Sequence, residues 1–217
     1  MNKLDTLITG LAFGESPRWH NGKLWLCNWA AQEIVAVSPN GAAEVVLRLP
    51  FATFPFSIDA GGVSLITPDG SIREVAGDIA FPNGMAVTPD GDTLLVADSY
   101  VHEGIAFDIN ADGTLSGRRV WANLGEGTPD GICLDAEGAL WYADVPNRCC
   151  VRVLEGGEVL DAVQADRGCF ACMLGGPDGR TLYITAAEWR GPAAMDPEPR
   201  TGVVYTVQAP APHAGRP

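Results

Sequence analysis

The sequence predicts an all-β protein, a β-propeller of four-stranded antiparallel blades. One phrase of strand, tight turn and strand occurs four times along the chain, and a second turn follows the first three copies. Helical periodicity is almost absent. Units of four short strands over about 40–50 residues are typical of propeller blades. The four copies are Pro17–Trp29, Phe81–Ser99, Pro129–Val145 and Ala171–Glu188.

The copy at Phe81–Ser99, FPNGMAVTPDGDTLLVADS, shows how each phrase is built. An apolar strand at Gly84–Val87 leads into the turn Thr88–Gly91, and a second apolar strand follows at Thr93–Ala97. Proline presets φ and glycine accepts positive φ, which makes Pro-Asp-Gly a strong turn sequence. Aliphatic and β-branched residues on both sides favour paired strands.

Taken in order, the repeats predict five blades, of which one lacks a strand. The short unit joins an innermost strand, PFSIDA at 55–60, directly to two outer strands at 61–77. The last blade lacks an outer strand, which Leu4–Gly10 can supply, and this pairing closes the ring and removes exposed edges. We expect residues 1–209 to form a single propeller domain and residues 210–217 to form a disordered Pro/Ala tail. Three complete blades are expected at 15–47, 81–124 and 128–165, and the last blade, which Leu4–Gly10 completes, is expected at 171–207.

The charge balance excludes some classes of partner. The chain of 217 residues has 14 Lys and Arg against 27 Asp and Glu, a net charge of −13. Such acidity disfavours nucleic acids and anionic membranes. The opening residues, MNKLDTLITGLAF, lack the apolar core of a signal peptide, and no apolar run reaches the roughly 20 residues of a membrane helix. We therefore expect a cytoplasmic location.

Six cysteines occur, and two of them form a C-x-x-C pair, Cys169 and Cys172. A zinc or redox site at this pair is the alternative, but no second C-x-x-C accompanies it. Reduced, buried thiols are the expected state.

Three oxygen-bearing side chains occupy nearly equivalent places in different blades. Asn83 and Asp130 each stand before a glycine where the innermost strand begins, and Glu15 is almost in register with them. Innermost strands line the central channel, so these side chains are expected to meet there. Two crowded carboxylates repel without a cation, and oxygen ligands suit a hard divalent metal. The alternative is that Asn-Gly and Asp-Gly simply make turns.

Four segments carry a resemblance to a known family: FGESPRW, FPNGMAVTPDG, PDGICLDAEGALWYADV and RGCFACMLGGPDGRTLY. They resemble the regucalcin/gluconolactonase family (senescence-marker-protein type, LRE-like) over nearly all of residues 8–209. The resemblance implies a propeller that hydrolyses sugar lactones with one divalent cation in its channel, Ca²⁺, Mg²⁺, Mn²⁺ or Zn²⁺. It places the metal ligands at Glu15, Asn83 and Asp130, and the proton acceptor of a metal-activated water at Asp130.

The sequence departs from the family pattern in one long segment. Family propellers have six blades and carry more than a blade between the strand matching PFSIDA and the strand matching GVSLITPDG. That segment holds an arginine and an asparagine–aspartate pair that bind the sugar, and Ala60-Gly61-Gly62 cannot replace them. The substrate-binding residues are therefore unknown, with Trp19 a candidate at the channel mouth.

Three hypotheses follow. The first is a metal-dependent lactonase, a carboxylic ester hydrolase in which Asp130 takes the proton. The second is a non-catalytic, cation-binding propeller that has lost its substrate-binding wall. The third is a chain that folds poorly because its short blade leaves backbone groups unpaired. Chelator-sensitive lactone turnover separates the first from the second, and a cooperative unfolding transition counts against the third.

Overall fold

A computed structural model describes residues 3–48, 61–191 and 198–215 of the chain. Within these ranges it contains 18 β-strands and one 3₁₀ turn, Trp29–Ala31, and no helix that is long and apolar enough to cross a bilayer. The strands are β1 (Asp5–Leu11), β2 (Gly14–His20), β3 (Lys23–Asn28), β4 (Glu33–Val37), β5 (Ala43–Arg48), β6 (Gly61–Ile66), β7 (Ile72–Ile79), β8 (Pro82–Val87), β9 (Thr93–Asp98), β10 (Glu103–Ile109), β11 (Leu115–Asn123), β12 (Pro129–Leu134), β13 (Leu140–Asp144), β14 (Cys149–Val153), β15 (Val159–Gln164), β16 (Gly168–Gly175), β17 (Thr181–Ala187) and β18 (Gly202–Gln208).

The strands form four-stranded antiparallel sheets, which confirms the all-β propeller. The sheets have the orders β2–β3–β4–β5, β8–β9–β10–β11, β12–β13–β14–β15 and β16–β17–β18–β1. In the last sheet β1 pairs with β18, with Asp5 opposite Thr206 and Leu11 opposite Gly202. The N-terminal strand therefore completes the last blade, as the sequence predicts, because this pairing satisfies the backbone groups of an otherwise exposed edge.

The short unit is represented by a two-stranded sheet. β6 and β7 pair antiparallel, from Gly61 opposite Ile79 to Ile66 opposite Ile72. They correspond to the two outer strands that the sequence predicts for the incomplete blade. Its predicted innermost strand, at 55–60, lies outside the described residues.

The innermost strands approach each other so closely that two positions accept only glycine. A Cβ on Gly84 of β8 would lie 2.5 Å from the carbonyl oxygen of Asp130, and one on Gly131 of β12 would lie 2.4 Å from the Ala171 Cβ. Both glycines lie inside strands, and neither has a positive φ. The alternative that Asn83-Gly84 and Asp130-Gly131 form turns is therefore wrong. These glycines permit contact between blades.

The core lies between adjacent blades. One buried cluster joins the sheet of β12–β15 to that of β16–β18 around Trp141, and it contains Cys133, Cys150, Cys169 and Cys172. All six cysteines are free thiols and five are buried. The Cys133 and Cys172 sulfurs lie 3.9 Å apart, a contact without a disulfide. The prediction of buried thiols at the C-x-x-C pair is confirmed.

The last residues of the chain depart from the disordered tail predicted at 210–217. Ala211 is fully buried, and the backbone N–H of His213 donates to the carbonyl of Gly179 at 2.9 Å. His213 also forms an isolated bridge with Asp135. The small side chains of this segment allow it to lie against the turns at one end of the blades. The Pro/Ala-rich residues 211–215 are therefore packed against the propeller. Residues 216 and 217 lie outside the description.

Candidate active site

Each of the three predicted ligand residues lies at a β-bulge in an innermost strand. The register between β2 and β3 breaks after Glu15, that between β8 and β9 after Pro82, and that between β12 and β13 after Pro129. A β-bulge inserts one extra residue into a strand, so the side chain at the bulge departs from the strand's alternation between its two faces. The bulges therefore recur at equivalent places in three sheets, at Glu15, Asn83 and Asp130.

These three side chains line one cavity of about 410 Å³, and each is partly exposed. A second, smaller recess of about 150 Å³ also contains Glu15 and Asn83, together with Arg18 and Cys172, so both cavities follow the innermost strands. The structure brings Glu15, Asn83 and Asp130 to a common wall, as the sequence predicts. The other described residues of the larger cavity are Phe13, Ser16, Cys27, Trp29, Phe81, Pro82, Phe170 and Trp189.

The two carboxyl groups have strongly altered acidity. Burial raises the pKa of Glu15 to about 8, although the Ser16 backbone N–H donates to it at 3.2 Å and opposes the rise. Burial also raises the pKa of Asp130 well above its usual value, and the charge of Glu15 adds to the effect. The amide of Asn83 opposes this rise by hydrogen bonding to Asp130. Two desolvated carboxyls in one cavity favour either a shared proton or a bound cation.

The donor set consists of two carboxylates and one amide. Among the residues that the structure describes, no three His, Cys, Asp or Glu side chains gather at a possible metal site. The three oxygens nevertheless suit a hard divalent cation, which commonly takes its remaining ligands from water or substrate. Ser99 links the innermost strands β8 and β12. Its Oγ donates a hydrogen bond to the Pro129 carbonyl of β12 at 2.6 Å and lies 3.5 Å from the Asn83 amide nitrogen of β8.

A buried polar side chain ends the second strand of each of these three sheets: Asn28, Asp98 and Asp144. Each accepts hydrogen bonds from the backbone just before the bulge, so each fixes the approach to one site residue. Their donors are the N–H groups of Ala12 and Phe13 for Asn28 (2.9 and 3.0 Å), of Ala80 and Phe81 for Asp98 (3.0 and 2.9 Å), and of Thr128 for Asp144 (3.0 Å).

These three positioning residues are not among the site residues that the sequence predicts. The signal was present, because each follows the turn glycine of its repeat by six or seven residues: Gly22 to Asn28, Gly91 to Asp98 and Gly138 to Asp144. A polar residue that recurs at the end of an apolar strand indicates a buried hydrogen-bonding role.

We expect Asp98→Ala to lower the free energy of unfolding by about 2 kcal/mol, because it leaves two backbone N–H groups without their acceptor. It should also disturb the approach to Asn83. Urea denaturation measures the loss. Asp108→Ala, which removes an exposed carboxylate from β10 of the same sheet, is the control and should cost less than half as much. Equal losses in the two variants would show that Asp98 has no special positioning role.

Trp19 does not line this cavity, contrary to the proposal that it stands at the channel mouth. It lies four residues beyond Glu15 along β2, stacks on Tyr183 with ring centroids 5.4 Å apart, and borders a small recess with His213. The direction of the strand carries it away from the carboxylates. Phe170 lines the cavity at the register break of β16, where the described innermost strands β2, β8 and β12 have an oxygen donor.

Comparison with known proteins identifies the family. The profile of the SMP-30/gluconolactonase/LRE-like region matches residues 51–188. The chain belongs to this family. The match covers more than half of the chain and includes Asn83 and Asp130.

The relatives include named lactonases. The chain is 31% identical over 166 residues to 6-deoxy-6-sulfogluconolactonase of Pseudomonas putida, covering 73% of this chain and 57% of that protein. It is 30% identical over 159 residues to L-arabinolactonase of Azospirillum brasilense, covering 71% and 52%. The chain thus spans about half the length of these curated relatives. A structure of regucalcin from Agrobacterium tumefaciens strain C58 has a TM-score of 0.75 at 18% identity, covering 98% of this chain and 97% of that one, which shows a shared fold.

Proposed function

We propose that this protein hydrolyses a sugar lactone with the aid of a divalent cation held by Glu15, Asn83 and Asp130. The observation that carries the proposal is the meeting of three oxygen donors from three sheets at equivalent bulges in one cavity. Membership of the family supports sugar lactones as the substrate class, since relatives are named lactonases. The cytoplasmic location stays a prediction from the sequence.

The donor chemistry fits the cation. Carboxylate and amide oxygens are hard ligands. Burial raises the pKa of Glu15 and of Asp130, and a cation between the two carboxylates would offset this effect. A divalent cation, when bound there, supplies Lewis acidity toward the lactone carbonyl and lowers the pKa of water. The Agrobacterium tumefaciens regucalcin is described as a calcium-binding protein, which makes Ca²⁺ a sensible first choice for tests.

The side chains of this cavity have distinct roles in the proposed reaction. Asp130 accepts a proton as water oxygen bonds to the carbonyl carbon. The ring C–O bond then breaks as Asp130 returns this proton to the ring oxygen, and the new carboxyl group releases its own proton to water. The product is an aldonate. The Asn83 amide orients the Asp130 carboxylate, and the aromatic rings of Phe13 and Phe170, whose centroids lie 4.2 Å apart, exclude bulk water from one side.

A non-catalytic, cation-binding propeller is the second candidate. It is favoured by the sequence Ala60-Gly61-Gly62, which has no counterpart of the family's sugar-binding segment. Substrate positioning lowers the activation free energy by several kcal/mol. Its loss alone can therefore abolish turnover at a site that still binds its cation. This candidate predicts cation binding without turnover.

The test measures opening of aldono-1,4- and 1,5-lactones with and without EDTA, followed by readdition of Ca²⁺, Mg²⁺, Mn²⁺ or Zn²⁺. We expect turnover that EDTA removes and at least one cation restores. Equal rates with and without EDTA would contradict the metal role, and a well-folded protein with no turnover on any lactone would contradict the hydrolase.

Thermal unfolding tests the cation site that the two candidates share, while lactone turnover separates them. A cation that binds only the folded protein at 100 times its Kd should raise the Tm by about 5 °C or more, since it adds about 2.7 kcal/mol of stability. Glu15→Gln should abolish this rise because it removes one of two charged ligands. Glu44→Gln, on the exposed outer strand β5 of the same sheet, is the matched control and should keep it.

A further inference from the structure

A further recess, distinct from the 150 Å³ recess described above, adjoins the candidate active site. This arginine cleft has a volume of about 420 Å³, and its wall includes Arg148, Arg167, Arg190 and Trp189. Trp189 also lines the larger site cavity, so one indole ring belongs to both spaces. A molecule bound against the carboxylates can therefore extend along Trp189 into the arginine cleft.

The fold of the last blade explains this adjacency. β16 begins at Gly168, which borders the arginine cleft, and two residues later its bulge directs Phe170 into the site cavity. Gly168 lies opposite Ala187, the last residue of β17, and the chain then continues to Trp189. The Phe170 and Trp189 rings meet edge to face with centroids 5.8 Å apart. Rigid strands thus set the distance between the two spaces.

The cleft gathers positive charge in an acidic protein. Three of the chain's 14 cationic side chains line it, against two acidic ones, while the whole chain has a net charge of −13. Arg167 has a structural role: it binds Asp166 through two nitrogens at 2.7 and 2.8 Å and donates to the Thr201 carbonyl at 2.7 Å. Its partner Asp166 also accepts a hydrogen bond from Tyr205 at 2.5 Å, and its pKa is lowered by these contacts.

The other two arginines are available to a ligand. Arg148 is exposed and makes no ion pair with any residue that the structure describes. Arg190 pairs with Glu188, but both side chains are about half exposed, and such surface pairs contribute little stability. A bound anion can therefore replace Glu188 as the partner of Arg190 with little loss of free energy. Guanidinium groups bind carboxylate, sulfonate and phosphate oxygens through charge-assisted, often paired hydrogen bonds.

We infer that the arginine cleft is a specificity subsite for a negatively charged substituent of the lactone, held by Arg148 and Arg190 on the far side of Trp189 from Asp130. The substrate class is then an aldonolactone that carries a carboxylate, sulfonate or phosphate on the carbon remote from its ring ester. This inference rests on the proposed lactonase function and names the part of the substrate that the carboxylates do not bind.

The kinetic test compares glucono-1,5-lactone with its 6-phospho and 6-deoxy-6-sulfo derivatives. At low ionic strength we expect kcat/KM to be about tenfold higher for at least one anionic substrate, and this ratio should shrink at high salt because exposed charges are screened. The double variant Arg148→Gln/Arg190→Gln should bring the ratio near one. Glu188→Gln should raise it by removing a competing carboxylate.

Arg118→Gln is the matched control, since it removes one exposed arginine from β11, a strand of another sheet. It should leave the anionic-to-neutral ratio unchanged. A ratio near one in the unaltered protein, or an equal drop in the control and the double variant, would overturn the subsite. The more reactive of the two derivatives identifies which anion the subsite prefers.

A binding measurement keeps this inference apart from the catalytic proposal. Titration calorimetry compares gluconate with 6-phosphogluconate, neither of which contains a lactone ester. We expect tighter binding of 6-phosphogluconate, lost in the Arg148→Gln/Arg190→Gln variant, even if no lactone is opened. Equal affinities for the two compounds would overturn the subsite while leaving the cation and hydrolysis tests unaffected.

Discussion

Asp130→Asn is expected to reduce kcat/KM for lactone opening by about 100-fold or more. The amide keeps the shape of the carboxylate but accepts a proton poorly, and general-base catalysis contributes about 10²–10⁴-fold. Asp130 lies at the bulge of β12, within hydrogen-bonding reach of Asn83 and close enough for the charge of Glu15 to alter its acidity. Loss of one carboxylate also weakens the cation site. Initial rates at saturating cation measure the effect.

Asp161→Asn provides the comparison, because it makes the same chemical change on β15, the exposed outer strand of the same sheet. Its rate should stay within about twofold of the unaltered protein, as is usual for surface substitutions. Full activity in Asp130→Asn, with an unchanged Tm, would remove Asp130 from the mechanism and leave the cavity as a binding site only.

Gly84→Ala is expected to lower the free energy of unfolding by about 3 kcal/mol, the upper part of the usual cost of overpacking. The added Cβ would stand 2.5 Å from the Asp130 carbonyl oxygen and 2.6 Å from the Ile132 nitrogen. Both neighbours are backbone atoms of β12, so they cannot swing aside as a side chain can. β12 must move as a strand, and Asp130 moves with it. We therefore expect lower stability and lower turnover together.

Gly104→Ala tests whether the effect is specific to this contact. Gly104 lies in β10 of the same sheet, also without a positive φ, and its added Cβ would meet Trp121 at an ordinary 3.6 Å. Urea denaturation should show a change of less than about 1 kcal/mol for this variant, toward higher stability, because a glycine-to-alanine change that fits lowers the conformational entropy of the unfolded chain. Similar midpoints for the two variants would mean that the innermost strands separate more readily than the structure indicates.

Repetition made the main features of the fold predictable. Four copies of one phrase fix strand spacing, and the tight turns between apolar strands indicate which strands pair. The same repetition identified Glu15, Asn83 and Asp130, because equivalent positions in equivalent units must face the same axis. The pairing of Leu4–Gly10 with the last blade was also predictable, since that blade lacked one strand and the chain offered one unassigned strand.

Other parts of the site depend on contacts between units that are far apart in sequence. The arginine cleft combines Gly168 of β16 with residues from the β13–β14 connection, the β15–β16 connection and the segment after β17. Nothing in their local sequence relates them to Asp130. The prediction of Trp19 at the channel mouth failed for a similar reason. Its distance from Glu15 along β2, and not its aromatic character, decides which cavity it lines. The packed residues 210–215 have a composition typical of a disordered tail, and only contact with the blade turns gives them a partner.

The sequence by itself determined the propeller, the closing strand and the three predicted channel residues. These follow from local strand and turn preferences that recur at equivalent positions in each repeat. Only the tertiary structure decided that Gly84 and Gly131 permit close contact between blades and that Asn28, Asp98 and Asp144 hold the backbone before each bulge. It also decided that Phe170 lies at the bulge of β16, the place that corresponds to Glu15, Asn83 and Asp130 in their strands. These are properties of distances between strands, and a distance across the channel is set by the packing of whole blades.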